Sequence, residues 1–351
     1  MSKDVDESSQ AATHALKFHG TGREYFSIWI VNLLLTVLTL GIYSAWAKVR
    51  RLRYLYGSAE LAGARFEYHG EPLAILFGRV FALLLLVLYN WSVNLVSMWS
   101  LVIVVALLIA LPWLLRSAIR FRMRYSSYRG LRFGFHGALG RAYAVFLLYP
   151  LFMVLTFYLA GPLFHQRFKQ YQHGEASYGR SRFSFDAGVG EFYRTYAAIF
   201  GLSMLTVFLV GVAAAVLMPS GGDGPPDAGA AAMMTGVLFV LMIGASMMLM
   251  PLWLSRTQNL IWNRTRLAGF RFSSSLQARR VFWIYLTNAL GIVLTLGLFT
   301  PWAVIRMARY RIESIAVHGD DHIEDFVAAE RESVNAAGEE VTEIFDIDIG
   351  F

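Results

Sequence analysis

Apolar residues fall into seven long runs, near 25–47, 73–93, 95–115, 142–164, 192–218, 230–254 and 281–304. Each is long enough to cross a hydrocarbon core of ~30 Å, which takes about 20 helical residues. The pattern predicts seven transmembrane helices. Only Asn90-Trp91-Ser92-Val93-Asn94 separates the second run from the third, so these two form a tight hairpin. Between the fifth and sixth stands Pro219-Ser220-Gly221-Gly222-Asp223-Gly224-Pro225-Pro226-Asp227, whose glycines and prolines exclude a helix and predict an exposed loop. Trp and Tyr gather at the ends of the runs, as interfacial anchors do.

The first and last runs repeat one another. Residues 26–54 align without gaps on 282–310, with 14 of 29 positions identical. Asn32, Thr39, Gly41, Trp46, Arg50 and Arg53 recur as Asn288, Thr295, Gly297, Trp302, Arg306 and Arg309. Apolar composition produces chance matches of Leu and Val, but not these residues in register. After several runs a small residue or proline with a nearby aromatic is followed by bases three or four apart, which share one helix face. Such a segment bends at the interface and continues as a basic helix.

Short units of a second kind follow four of these segments. They read Gly63-Ala64-Arg65-Phe66-Glu67-Tyr68, Gly130-Leu131-Arg132-Phe133-Gly134-Phe135, Gly179-Arg180-Ser181-Arg182-Phe183-Ser184-Phe185 and Gly269-Phe270-Arg271-Phe272-Ser273. Aromatic residues alternating with polar ones after a glycine predict a half-buried strand or hairpin, with Phe66 and Tyr68 on one face and Arg65 and Glu67 on the other. Isolated hairpins are marginal in water, so the four units are expected to pair into a small sheet at the membrane surface. The fold class expected is therefore an α-helical polytopic membrane protein of about seven spans with internal repeats and a small surface sheet.

Composition strengthens the membrane reading. Of 351 residues 56% are hydrophobic and 16% charged, against roughly 45–50% and ~25% in soluble domains. The net charge of +7 hides an asymmetry, since from Asp320 onward eleven acids face one base, Arg331. Three segments follow: a polar N-terminal stretch (1–24), a repeat-containing membrane domain (25–318) and an acidic tail (319–351). The alternation from Glu343 to Phe351 fits a strand that could join the surface sheet, or else a solvating tail. Bases beside apolar spans suit anionic lipid headgroups better than nucleic acid. With no cysteine, thiolate metal sites and thiol nucleophiles are excluded. No phosphate loop, zinc-protease helix or nucleophile elbow is present, so no enzyme, cofactor or metal is expected. His318-Gly319-Asp320-Asp321-His322 fits no standard metal spacing.

The stretch from Ile28 to Leu35, the run Leu38-Thr39-Leu40-Gly41-Ile42-Tyr43-Ser44-Ala45-Trp46-Ala47-Lys48-Val49-Arg50, the later Arg65-Phe66-Glu67-Tyr68-His69-Gly70 and the closing Phe345-Asp346-Ile347-Asp348-Ile349-Gly350 together resemble the YjgN-like family of bacterial inner-membrane proteins. The resemblance extends over essentially the whole chain. It implies a multi-pass protein of the bacterial inner membrane and supplies no catalytic or ligand residue.

Topology is the point of conflict. Seven crossings spread the basic segments almost evenly over both sides, whereas cytoplasmic loops normally carry a clear excess of Lys and Arg. Either the halves sit in inverted orientation, as in many transporters, or the first, fourth and seventh runs fail to cross. Run length favours the former, and the four matching strand units favour the latter.

The candidate residues have two readings each. Asn32 and Asn288, with Thr39 and Thr295, are the polar groups inside the apolar runs. They form a substrate or ion site between repeats, or interhelical hydrogen bonds of about 0.6 kcal/mol each. Arg65, Arg132, Arg182 and Arg271, each beside a phenylalanine, hold anionic headgroups or a partner, or guard a strand edge. Lys48, Arg50, Arg53, Arg306 and Arg309 read as interfacial anchors that could also meet headgroups. His-Gly recurs five times, where a strand-ending turn needs only the glycine. The function expected is a non-enzymatic scaffold or recognition platform for anionic lipid or a partner protein, possible homo-oligomerisation included. The alternative is a channel or facilitator for a small neutral or anionic solute.

Overall fold

The computed structural model describes residues 12–94, 98–217, 228–319 and 323–346. Among these, eleven strands form one antiparallel sheet. Four hairpins supply eight of them: β3 (Ala59–Leu61) with β4 (Ala64–Tyr68), β5 (Ser126–Tyr128) with β6 (Leu131–Phe135), β7 (Ala176–Tyr178) with β8 (Ser181–Phe185), and β9 (Thr265–Leu267) with β10 (Phe270–Ser274). β11 (Ile315–Gly319) lies against β10. At the N-terminus, β1 (Ala12–Ala15) and β2 (Lys17–Phe18) are separated by Leu16 alone. β1 pairs with β11 and β2 with β3, so a single stretch bridges both edges and rolls the sheet into a barrel. The expected small surface sheet is thus corrected to a large, barrel-like one that includes the N-terminal segment.

Between paired strands the chain leaves the barrel five times, each time as a helical hairpin. These are α1 (Gly22–Leu38) with α2 (Ser44–Gly57), and α3 (Pro72–Asn94) with α4 (Met98–Arg124). In the third, α5 (Leu139–Tyr143) continues through a π-helical stretch, Ala144–Leu148, into α6 (Tyr149–Leu155), and α7 (Gly161–Gly174) returns. α8 (Val189–Leu217) with α9 (Ala228–Asn263), and α10 (Ala278–Leu294) with α11 (Thr300–Glu313), complete the set.

This connectivity overturns the seven spans. The strands flanking each excursion are hydrogen-bonded to one another. Both ends of every excursion therefore lie at one rim, and each crosses the bilayer twice or not at all. Among the described residues Pro72–Trp91, Leu101–Arg124 and Val189–Ala213 are long and apolar enough to cross, and a crossing by α8 obliges α9 to return. The runs at 25–47, 142–164 and 281–304 are short hairpins instead. They reverse at Leu40-Gly41, Phe157-Tyr158 and Leu296-Gly297, all with positive φ. Their longest arms, α1 and α10, have 17 residues, about 25 Å at 1.5 Å per residue and short of the ~30 Å core. Apolar residues continue straight through the tips, where Leu40 and Leu296 are each 95% exposed. Hydropathy alone reads such a stretch as one long helix.

Inside the barrel, Leu61, Tyr128, Leu131, Tyr178, Leu267 and Val317 pack with Phe66, Phe133, Phe183 and Phe272. Alternation sends their neighbours Arg65, Arg132, Arg182 and Arg271 outward, where all four are exposed. The strand turns at the far rim are covered by α12 (Ile323–Asp346), whose Ile323, Phe326 and Val327 join the aromatic core. The acidic tail is therefore helical through Asp346 rather than an added strand. Its apolar residues at 323, 326 and 327 follow helical spacing, and Glu324 and Asp325 in its first turn suit a helix N-terminus. Residues 347–351, the proline-glycine run at 219–227 and Asp320-Asp321-His322 lie outside the described residues, and with them the expectations made there.

Candidate anion-recognition site in the helix ring

The ten arms form a closed ring beneath the barrel, each packing chiefly on its neighbours. At its membrane end the three short hairpins share one construction. The hydroxyl of Thr39 donates to the Leu35 carbonyl (2.7 Å) and accepts from the Tyr43 N–H (2.9 Å). Thr295 does the same with Gly291 and Phe299, and Thr156 with Phe152 and Ala160. The third hairpin has Tyr158 at φ 67° where the others have glycine, so identity does not reveal it.

Seven residues before two of these threonines stand the buried asparagines. Asn288 Nδ2 donates to the Ala303 carbonyl (3.2 Å) on the returning arm, and its Oδ1 accepts from Arg306 (2.9 Å). Asn32 makes the corresponding longer bonds to Ala47 and Arg50, 3.4 Å each. Asn32, Thr39, Asn288 and Thr295 are thus occupied in bracing their own hairpins.

Arg53 and Arg309 face the barrel rim. Arg53 donates to the carbonyl of Gly70 (3.5 Å) and Arg309 to that of Gly20 (2.9 Å), each at the start of the next hairpin. The other returning arms do likewise: Arg116 to Gly137 (2.6 Å), Gln166 to Ala187 (3.0 Å) and Asn259 to Leu276 (2.9 Å). Five arms thereby lock onto five rim carbonyls. Arg116, Gln166 and Asn259 carry no repeat signal in the sequence, because three residue types serve one role. Close approach requires the glycine in four of the five His-Gly pairs, whereas nothing lies within 4 Å of a Cβ at Gly174. A Cβ on Gly70 would lie 2.4 Å from the Tyr68 ring, and one on Gly319 2.3 Å from Phe270.

Four further cations on the returning arms are Lys48 on α2, Arg122 on α4, Lys169 on α7 and Arg311 on α11, of which Lys169 is half-buried and the other three exposed. Burial holds the Lys169 ammonium below its usual value, and the charges of Arg311 and Arg122 push it the same way. Lys48 is lowered by burial first, then by Arg79 and Arg122. Arg311 is bonded to Gln258 Oε1 (2.8 Å), Lys169 to Gln172 Oε1 (2.9 Å) and Arg79 to the Ser44 hydroxyl. None of Lys48, Arg79, Arg122, Lys169 and Arg311 meets an acid among the described residues. Beside Lys169, His165 is held neutral with its pKa lowered to about 4 and His173 to about 3, by burial first and the lysine charge second. No group of three or more potential metal ligands occurs among the described residues.

A barrel seated on a ring of paired arms, two of whose hairpins carry helices long and apolar enough to cross a bilayer, defines an integral membrane protein whose barrel stands on one side of its membrane. The chain belongs to the family of bacterial proteins of unknown function DUF898, whose model matches residues 13–344. It is 26% identical to the inner membrane protein YjgN of Salmonella typhimurium, over 90% of this chain and 91% of that relative. With the YjgN proteins of Escherichia coli K12 and O157:H7 identity is 33% and 31%. Those two matches cover 41% and 44% of this chain but only 36% and 40% of the relatives' own lengths. No solved structure matches. These relatives place the chain in the bacterial inner membrane.

Proposed function

We propose that the protein is a non-enzymatic recognition platform that stands on the cytoplasmic face of the inner membrane and holds anionic lipid headgroups. One observation carries this reading. The five arms that return to the barrel bear fourteen Lys and Arg against a single acid, Glu313. An excess of Lys and Arg of this size on one side of a membrane is a cytoplasmic signature, and each base near the surface attracts anionic headgroups by ~1 kcal/mol. The test is the phospholipid that co-purifies with the detergent-extracted protein. Anionic lipid is expected enriched about threefold or more over the bulk membrane, and a composition equal to the bulk overturns the reading.

A second reading attaches to the barrel wall. Arg65, Arg132, Arg182 and Arg271 lie opposite Glu60, Ser127, Ser177 and Arg266 in register. A sheet whose edges are both paired has no edge to guard, so edge protection does not account for them. Arg65 stands five residues of strand from Gly70, roughly 15 Å from the helix rim and beyond a Debye length at physiological salt. This row suits an acidic segment of a partner protein better than the bilayer.

A further inference from the structure

The crook between the first helical hairpin and the barrel wall holds a cavity of about 340 Å³, near the lower end of the roughly 300–1,000 Å³ typical of small-molecule sites. Glu24 of α1, Arg53, Tyr54 and Gly57 of α2, and His19 and Arg65 from the barrel line it. Three of these bear charges that the fold leaves without an ionic partner. Glu24 accepts one hydrogen bond, from the Tyr54 hydroxyl (2.9 Å), and Arg53 makes only its long bond to Gly70. Arg65 stands opposite Glu60 in register, but Glu60 is taken by His19 at 2.8 Å. Among the described residues no ion pair joins Glu24 to either arginine, although all three line one cavity.

The internal repeat shows that the hairpin does not need this set in order to fold. Tyr54 and Tyr310 play one part, their hydroxyls accepting from the N–H of Thr21 (2.8 Å) and of Gln277 (3.0 Å). The same offset carries Glu24 to Arg280 and Gly57 to Glu313. In the last hairpin the Arg280 guanidinium lies 4.6 Å from the centre of the Tyr310 ring, within the reach of a cation–π contact. That hairpin supplies its own cation to the tyrosine. In the first, a carboxylate stands in the cation's place, and a positive group has to come from outside the fold. A Cβ at Gly57 would meet nothing within 4 Å, so the space beside the last turn of α2 is open.

We propose that this cavity binds a small zwitterion in which a phosphate and an ammonium group are joined by a short linker, as in phosphoethanolamine. Arg53 and Arg65 approach the phosphate from α2 and β4, and Glu24 with the Tyr54 ring receives the ammonium. Two guanidinium groups on separate elements suit tetrahedral oxygens better than the single planar fork of a carboxylate. Glu24, Arg53 and Arg65 are exposed, so the ligand enters without a moving lid. Free phosphoethanolamine and the headgroup of phosphatidylethanolamine share this chemistry. Supply from lipid rests on the platform reading, which sets the rim at the membrane surface, whereas the chemistry of the cavity does not.

Purified full-length protein in neutral detergent is titrated with phosphoethanolamine, dihexanoyl phosphatidylethanolamine and glycerol phosphate, following melting temperature and heat of binding. At least one of the two ammonium-bearing compounds should stabilise wild type at about tenfold lower concentration than glycerol phosphate. Stabilisation by the lipid alone identifies a headgroup as the source, and stabilisation by phosphoethanolamine identifies a soluble compound. Arg65→Gln should weaken that binding about tenfold or more. Glu24→Gln should remove the preference over glycerol phosphate and leave the response to glycerol phosphate itself, a split that a merely structural role does not produce. Gly57→Glu, which copies the last hairpin, should abolish binding without lowering the melting temperature of the free protein, since glycine is the poorer helix former. No response of wild type to either zwitterion, no preference over glycerol phosphate, or wild-type affinity in both Arg65→Gln and Gly57→Glu overturns the site. The two readings fail separately. Enriched anionic lipid with no response to either zwitterion sinks the cavity alone, and a selective response in protein that enriches no anionic lipid sinks the platform alone.

Discussion

Asn288 shows how a polar residue within an apolar run acquires a structural task. Its amide spans the two arms of one hairpin, donating to the Ala303 carbonyl and accepting from Arg306, and the side chain is 6% exposed. Leucine at this position fills similar space but removes the bond that the Arg306 guanidinium makes and the side-chain bond to the Ala303 carbonyl. An unsatisfied buried group costs ~1–3 kcal/mol, so Asn288→Leu should lower the melting temperature in detergent by several degrees. Asn32→Leu should cost less, because the bonds it removes are 3.4 Å long. Double-mutant cycles of Asn288→Leu with Arg306→Leu separate the pair from its surroundings: a coupling near zero would show that the two side chains do not support one another.

At the scale of elements, α12 owes its place to a few contacts at the far rim of the barrel. The Glu330 carboxylate accepts from the Arg180 backbone N–H (2.7 Å), the Ser181 hydroxyl (2.5 Å) and the Ser181 N–H (3.3 Å), while Glu324 pairs with Arg129 at 3.0 Å. Substitution Glu330→Ala removes the first set at once and should raise amide exchange through residues 323–335 about tenfold or more, with the barrel strands unchanged. Exchange at the wild-type rate would mean that Phe326 and Ile323 hold the helix by themselves. How legible these elements were follows from their periods. Strand alternation placed Phe66, Phe133, Phe183 and Phe272 inward and the four arginines outward, because period two is a local property. The helix tips were not legible, since Leu40 and Leu296 face lipid as a spanning residue would and the turn is marked only by one glycine. Nor was the rim lock visible, because Arg, Gln and Asn perform the same donation. The N-terminal strand escaped notice for a different reason: Ala12–Ala15 and Lys17–Phe18 are too short and too polar to announce themselves, and their partners lie at opposite ends of the chain.

The whole molecule is governed by one topological constraint. A strand pair cannot form across a bilayer, so the five pairs that flank the helical hairpins put the barrel, every basic arm and α12 on the same side. This removes the near-even distribution of bases that seven crossings imply, and leaves a one-sided excess without inverted repeats. Absence of cysteine makes the arrangement open to direct measurement, because single thiols can be introduced without background. Ser58, Ser126, Ser177 and Ser274 are unsuitable sites, each less than 8% exposed. Exposed positions on the outer strand faces serve better: Glu67, Arg132, Ser184 and Arg271. In intact cells an impermeant maleimide should leave all four thiols unreacted, and in inverted membrane vesicles it should label all four. Trp91→Cys, near the turn between α3 and α4, should show the opposite pattern. Leu40→Cys and Leu296→Cys should resist labelling from both sides, because a tip 25 Å from the barrel rim at most ends within hydrocarbon. Labelling of Leu40→Cys from outside would show that the first hairpin reaches the far surface, and any split among the four strand positions would break the barrel itself.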